Sequence, residues 1–224
     1  MEQDTKNNLK LIHHFSLIEK VYFVIGAIAF LVLAEMALGH KPLAWDIPVT
    51  CGLQAFSSLE TPMRAISMLG DNFYASAGIV IFFTTGLYYL GYRLEARMLL
   101  LSTGVAQIAN TVIKLIIARP RPAGEICVQL LVKEDTLSFP SGHVTHYVCL
   151  YGFLCFLIYK KVTNPLLRVA LMLIPALLVM SVGVSRIYLG AHWSSDVTAA
   201  YLSASIWLIF VSGLYNYFST KNQS

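Results

Sequence analysis

The chain has 224 residues, of which 57% are hydrophobic and 12% are charged, and its formal net charge is +4. Soluble domains carry roughly 25% charged residues, so this composition excludes an ordinary water-soluble enzyme and indicates a protein of the lipid bilayer. The positive charges form no basic stripe of the kind that binds nucleic acid, and the length suits a single domain, 1–224.

Six apolar segments are interpreted as membrane-spanning helices, since a span needs about 20 residues, with a range of roughly 17–25. The sequence therefore predicts an all-α, polytopic membrane protein. The predicted spans are 21–38, 73–92, 98–117, 143–159, 167–184 and 197–215. No small-residue cleavage site follows the first apolar run, so it is interpreted as a retained span and not as a signal peptide.

The segment 39–72, between the first two spans, has apolar residues at helical spacing that polar residues interrupt. This pattern favours one or two short amphipathic helices that lie at the membrane interface.

The distribution of lysine and arginine predicts the orientation of the chain. With six spans both termini share a side, which holds nine of these residues, and the opposite side holds seven. Three of the seven, Lys114, Arg121 and Arg186, are better explained as site residues, which leaves four. The positive-inside rule then predicts cytoplasmic termini in the plasma or inner membrane, and outward-facing loops after the first, third and fifth spans.

The four cysteines show no metal-binding spacing. Cys149 and Cys155 fall in one apolar segment, where small buried hydrophobic residues are expected. Cys51 and Cys127 fall in loops on the outward side and could pair in an oxidising compartment, but the sequence leaves this open.

The end of the third span carries Lys114 and Arg121, seven residues apart. Pro120 and Pro122 predict that the helix ends before Arg121 and that this arginine lies in a loop. A lysine this deep in a span is costly unless it pairs with an anion, although snorkelling to the headgroups is an alternative. Arg119 is a second candidate contact with a substrate headgroup.

The fourth span begins with Pro-Ser-Gly-His, residues 140–143. Ser141 is a natural helix N-cap, and the helix that follows directs free N–H groups toward a bound anion. Gly142 lets a ligand approach the backbone closely. His143, in the first turn, is a candidate general acid.

The loop before the sixth span contains Arg186, His192 and Asp196. The histidine and the aspartate are four residues apart, which places them on one helical face. A carboxylate that accepts a hydrogen bond from one ring nitrogen leaves the other nitrogen free to act, here as a nucleophile. Alone, the same residues would also suit a polar loop with a capping aspartate.

Together, the three clusters bring three cations, a helix N-terminus, two histidines and a carboxylate to the outward face. Cations and open N–H donors are what a phosphate group needs. A metal bound by the two histidines and the aspartate is disfavoured because the three cations would oppose it, so no cofactor is expected.

These residues resemble the signature of the type 2 phosphatidic acid phosphatases, also called lipid phosphate phosphatases. That signature is K-x6-R-P, then P-S-G-H, then S-R-x5-H-x3-D. The matching positions here are Lys114, Arg121 and Pro122, then 140–143, then Ser185, Arg186, His192 and Asp196.

The resemblance implies a metal-free hydrolysis that releases inorganic phosphate from a membrane lipid. His192 would form a phosphohistidine, Asp196 would orient His192, and His143 would protonate the leaving oxygen. The phosphoryl oxygens would be held by Lys114, Arg121, Ser141, Gly142 and Arg186. The expected partners are the lipid phosphate and the bilayer, and no obligate protein partner is evident.

Three other functions fit the same residues. A vanadium haloperoxidase uses this constellation, but the hydrophobic spans argue against a soluble enzyme. A phosphotransferase would share the first half-reaction, and a lipid-binding or transport protein with a dead site is disfavoured by the intact motifs. The substrate stays open among undecaprenyl diphosphate, phosphatidylglycerol phosphate, phosphatidic acid and lipid A phosphate. Its tails are expected to enter sideways between spans.

Overall fold

The computed structural model describes residues 15–71, 73–122, 127–132, 134 and 136–221, and within these ranges every regular element is helical. The main helices are α1 (Leu17–Leu38), α2 (Asp46–Gln54), α3 (Glu60–Asp71), α4 (Phe73–Tyr89), α5 (Arg93–Ile117), α6 (Gly142–Lys161), α7 (Pro165–Tyr188) and α8 (Ser194–Lys221).

Five of these helices, α1 and α5 to α8, are long and apolar enough to cross a membrane. The prediction of an all-helical, polytopic membrane protein is therefore confirmed. α4 corresponds to the predicted span 73–92 but has 17 residues, which rise about 26 Å against a hydrocarbon core of about 30 Å. The count of six spans stays a prediction.

The predicted short helices between the first two spans are present as α2 and α3, joined by a 3-10 turn at Ser57–Leu59. α3 packs against α7. Leu53 of α2 and Ile66 of α3 contact the main hydrophobic core. This segment therefore lies against the ends of the long helices, while its place at the membrane interface stays a prediction.

The core lies between α5, α6, α7 and α8, where Leu99, Leu150, Val182 and Ala200 are fully buried. α6 is the most enclosed of the five long helices. It contains a π-helical turn at Val148–Gly152, and such turns often lie near functional sites. Because α6 begins with the Pro-Ser-Gly-His sequence, its central position carries that sequence into the middle of the bundle.

A disulfide joins Cys51 of α2 to Cys127, with the two Cα atoms 5.6 Å apart. The pairing that the sequence left open is therefore formed. Gln54 adds two links between the same chain segments, since its side chain donates to the carbonyl of Gln129 at 2.8 Å and accepts from the Gln129 N–H at 2.8 Å. The loop near Cys127 is thus fixed to α2.

Candidate active site

The three motifs meet at one end of the helical bundle, where α5 and α7 end and α6 and α8 begin. A cavity of about 310 Å³ lies between them. Its wall includes Asp71, Lys114, Arg121, Gly142, His143 and His192. The other predicted residues, Ser141, Arg186 and Asp196, are completely buried.

Lys114 lies in the last turn of α5, which ends at Ile117. Ala118 takes a left-handed conformation with φ of +50°, and the prolines that follow prevent the helix from continuing. The Lys114 ammonium donates to the carbonyl of Leu137 at 2.7 Å. It therefore lies beside the loop that leads into α6, with its charge facing the cavity.

Arg121 lies beyond the helix end, as the two prolines predict. Its Nη1 donates to the carbonyl of Ala191 at 2.6 Å and lies 3.2 Å from Nε2 of His192. Its Nη2 donates to the Glu134 carboxylate at 3.1 Å. The guanidinium thus links the candidate nucleophile to an acidic side chain of the neighbouring loop.

Ser141 occupies the N-cap position of α6, but its hydroxyl makes no capping hydrogen bond. The predicted capping role is therefore wrong for the side chain, although its position is right. The buried hydroxyl has no hydrogen-bond partner among the described residues. A buried polar group without a partner is costly, and Ser141 directly precedes Gly142, which lines the cavity.

His143 is paired with a residue that sequence analysis did not identify. Its Nε2 lies 2.9 Å from Oδ1 of Asp71, at the end of α3. The same oxygen accepts from the Ser67 hydroxyl at 2.7 Å and from Arg186 Nη1 at 2.9 Å. Burial by itself would raise the pKa of Asp71, but the hydrogen bonds from His143 and Ser67 and the charge of Arg186 lower that pKa to about 2.

Gly70 explains how α3 comes so close to this histidine. A Cβ at this position would lie 2.5 Å from Cδ2 of His143 and 3.1 Å from Cε2 of Tyr147. Real Cβ atoms do not approach other atoms so closely. The absence of a side chain at Gly70 therefore lets Asp71 reach His143.

Arg186 is completely buried at the end of α7. One of its terminal nitrogens donates to Ser67 and Asp71, and the other donates to Glu134. Since Glu134 also pairs with Arg121, two guanidinium groups meet on one carboxylate. This is the arrangement that a phosphate group would need.

His192 lies in the turn between α7 and α8, and only 1% of it is exposed. Burial, followed by the positive charges of Arg121, Lys114 and Arg186, lowers the pKa of His192 well below its ordinary value. The ring is therefore neutral at physiological pH, which a nucleophile requires. Its Nδ1 lies 3.8 Å from Oδ2 of Asp196, which is too far for the predicted hydrogen bond.

Asp196 is held instead by other donors. Oδ2 accepts from the Ser138 hydroxyl and from the Trp193 N–H, the latter at 3.0 Å. Oδ1 accepts from Arg119 Nη1 at 2.6 Å. Arg119 is completely buried, so the expectation that it could touch a substrate headgroup is wrong, because both ends of its guanidinium are engaged inside the protein.

One group of possible metal ligands occurs among the described residues. Ligand atoms of Asp71, Glu134 and His143 lie within 4.8 Å of one another. Both carboxylates are already paired with Arg186, and a cation at this point would face that charge. Sequence analysis missed Asp71 and Glu134 because single acidic residues in polar segments resemble solvated surface positions.

Comparisons with known proteins show similarity in sequence and in fold. A model of the PAP2 superfamily matches residues 95–219. Phosphatidylglycerophosphatase B of Bacillus subtilis (strain 168) is 29% identical over 158 residues, which cover 69% of this chain and 74% of that protein. The crystal structure of a transmembrane PAP2 type phosphatidylglycerolphosphate phosphatase from Bacillus subtilis has a TM-score of 0.73 and 25% identity, and covers 86% of this chain and 94% of that one.

Proposed function

The chain belongs to the PAP2 superfamily and is a membrane phosphatase, and we propose that it hydrolyses a lipid phosphate through a phosphohistidine at His192. The observation that carries the proposal is the meeting of Arg121 and Arg186 on Glu134, with Nε2 of His192 3.2 Å from Arg121 Nη1. A phosphoryl group that displaces the Glu134 carboxylate would bind both guanidinium groups next to the nucleophilic nitrogen.

In the first half-reaction the lone pair of His192 Nε2 forms a bond to phosphorus. The bond between phosphorus and the lipid oxygen breaks, and His143 donates a proton to that oxygen. In the second, water attacks the phosphohistidine and gives a proton back to His143. The P–N bond then breaks and releases inorganic phosphate and neutral His192.

The developing negative charge is stabilised by cations rather than by a metal. Lys114, Arg121 and Gly142 line the cavity, and the buried Arg186 pairs with Asp71 and Glu134 of its wall. The unpartnered hydroxyl belongs to Ser141, the residue before Gly142. Donors that are already in place need no reorganisation when the charge develops. The reaction is therefore proposed to need no metal ion.

The lipid tails are proposed to enter sideways. A second cavity of about 720 Å³ shares Lys114, Arg121 and Gly142 with the catalytic cavity and continues along α5 past Thr111 and Leu115. The Leu115 side chain is 69% exposed, and on a spanning helix that exposure is to lipid. A phosphate can therefore reach His192 while its acyl or prenyl chains stay in the bilayer.

The site is proposed to face outward, with cytoplasmic termini. The charge distribution favours this orientation, and the Cys51–Cys127 disulfide lies at the same end of the bundle as the site. Disulfides persist in oxidising compartments. The substrate is proposed to be phosphatidylglycerol phosphate, in keeping with the name of the relative.

The test is phosphate release by the purified protein from a panel of lipid phosphates in the presence of EDTA, for the wild type and His192→Ala. We expect activity in EDTA that the substitution abolishes, together with an acid-labile, base-stable phosphoenzyme in the wild type. Loss of activity in EDTA would contradict the metal-free mechanism. Transfer of phosphate to an added alcohol in place of water would favour a phosphotransferase.

A further inference from the structure

The chain before residue 95 contributes a buried carboxylate that none of the three motifs includes. Asp46 begins α2, and its Oδ2 lies 3.0 Å from Arg119 Nη2. Arg119 Nη1 lies 2.6 Å from Oδ1 of Asp196. All three side chains are completely buried, so one guanidinium is held between a carboxylate of α2 and the carboxylate next to His192.

Further hydrogen bonds fix this group of three to the turn that presents His192. Oδ1 of Asp46 accepts from the Ser194 hydroxyl and the Ser195 N–H, both at 2.8 Å. Oδ2 of Asp46 accepts from the Ser195 hydroxyl at 2.8 Å. The Arg119 guanidinium lies 5.7 Å from the centre of the Trp193 ring. Each residue from 193 to 196 thus contacts a member of the group.

We propose that Asp46 is a positioning residue for the phosphohistidine reaction. Asp46 pairs with Arg119 and so prevents this guanidinium from cancelling the charge of Asp196. The inference rests on the proposed function. Two carboxylates and one guanidinium leave one net negative charge beside the ring of His192. When Nε2 binds phosphorus the ring becomes cationic, and this charge stabilises it. With Asp46 neutral, the pair that remains would have no net charge.

A purely structural role makes a different prediction. Asp46 would then only fasten α2 to α8, and the net charge of the group would not matter. Buried ion pairs are weak evidence for stability, and the removal of one partner is costly because the other is left uncompensated. The two roles therefore make different predictions for the variant in which both partners are neutralised. Under the charge role its kcat per folded molecule recovers, and under the structural role it does not.

The experiment is a double-mutant cycle of Asp46→Asn and Arg119→Gln in the full-length protein, assayed for phosphate release per folded molecule. The formal charge of the group changes from −1 in the wild type to 0 in Asp46→Asn and −2 in Arg119→Gln, and it returns to −1 in the double variant. We expect kcat of Asp46→Asn to fall about 10- to 100-fold, as when an orienting partner of a functional histidine is lost, with KM changed less than about threefold. The double variant should recover most of this loss.

Thr50→Val is the matched control. Thr50 is buried one turn along α2, and its hydroxyl donates to the Asp46 carbonyl at 3.0 Å, so the substitution disturbs the same helix without changing a charge. Its kcat should stay within about twofold of the wild type. Gel filtration and thermal unfolding in detergent measure the folded fraction of each variant.

A double variant as slow as Asp46→Asn, or an Asp46→Asn enzyme with the kcat of the wild type, would overturn the inference. If Asp46→Asn does not fold, the double variant decides alone: a kcat within about tenfold of the wild type supports the charge role, and a larger loss at normal KM rejects it. His192→Ala, assayed in parallel, distinguishes failure of the proposed function from failure of the inference about Asp46. If it keeps its activity, the proposed function fails and the inference fails with it. If only the charge cycle fails, the proposed function stands.

Discussion

Nδ1 of His192 and Oδ2 of Asp196 lie 3.8 Å apart, and both side chains are buried. Nδ1 has no hydrogen-bond partner among the described residues. A shift of about 1 Å would bring the pair to hydrogen-bond distance. In the proposed mechanism this contact would close when Nε2 takes the phosphoryl group, since Nδ1 would then keep its proton and the ring would carry a positive charge.

Asp196→Asn is therefore expected to lower kcat by up to about 10,000-fold, the loss found when the orienting aspartate of a catalytic triad becomes asparagine. KM should change little, because Asp196 lies behind His192 and does not line the cavity. Steady-state phosphate release and the amount of trapped phosphoenzyme measure the effect. Ser203→Ala, on the same helix and away from the site, is the control. A kcat within tenfold of the wild type would show that the ring needs no carboxylate.

Glu134→Gln is expected to strengthen inhibition by inorganic phosphate and by vanadate. The carboxylate pairs with Arg121 and Arg186, so an anion must displace it before it can bind them. Removal of the charge should lower the inhibition constant by about tenfold, which corresponds to about 1.4 kcal/mol. Glu60→Gln, which breaks an exposed pair with Arg64, is the control. Unchanged inhibition would mean that phosphate binds elsewhere in the cavity.

Asp71 predicts a pH dependence of stability. Its pKa is depressed to about 2 from an ordinary 3.8, so its contribution is fully present above about pH 4 and is lost as the pH falls through the folded-state pKa. Asp71→Asn should therefore have a lower unfolding temperature than the wild type at pH 6. Between pH 4 and pH 2 its unfolding temperature should fall less than that of the wild type. Thermal unfolding in detergent across this range is the measurement, and parallel curves would contradict it.

The long helices and the meeting of the three motifs could be predicted from the sequence, because hydrophobic runs and motif spacing are local features. The partners of the motifs could not. Asp46 lies 73 residues before Arg119, and Asp71 lies 72 residues before His143. Nothing in a polar segment shows which distant cation its acidic residues will contact. Arg119 was misassigned for the same reason, since an arginine beside the motif arginine resembles a second substrate contact until its carboxylate partners are known.

The disulfide is expected to stabilise the end of the bundle that carries the site. Replacement of both Cys51 and Cys127 by serine should cost about 2–4 kcal/mol, because the bond closes a long loop. Unfolding temperatures with and without reductant measure this, and Cys155→Ala, which removes a free thiol, is the control. In intact cells, a reductant that cannot cross the membrane should make both thiols available to a maleimide. Protection of both thiols would contradict the outward orientation.

Sideways entry of the lipid predicts a selective effect on lipid substrates. Thr111→Trp fills the cavity beside α5 and should raise KM for a lipid phosphate by about tenfold or more. The KM for a small soluble phosphate ester should stay unchanged, because that ester can reach His192 from the aqueous side. Ile116→Trp, at an exposed position of α5 that lines neither cavity, is the control. Equal effects on both substrates would argue against the entry route.

The order of the chain sets the order in which the site is assembled during synthesis. Protein chains emerge from the ribosome amino end first, so Asp46 is made 73 residues before Arg119, and Asp71 is made 115 residues before Arg186. Asp46 is therefore without its arginine until α5 has been made, and Asp71 is without its arginine until α7 has been made. A ribosome stalled before α7 would leave a chain in which Asp46 can already pair with Arg119 while Asp71 still lacks Arg186. The cavity is complete only with the last two helices, since His192 lies in the turn between them.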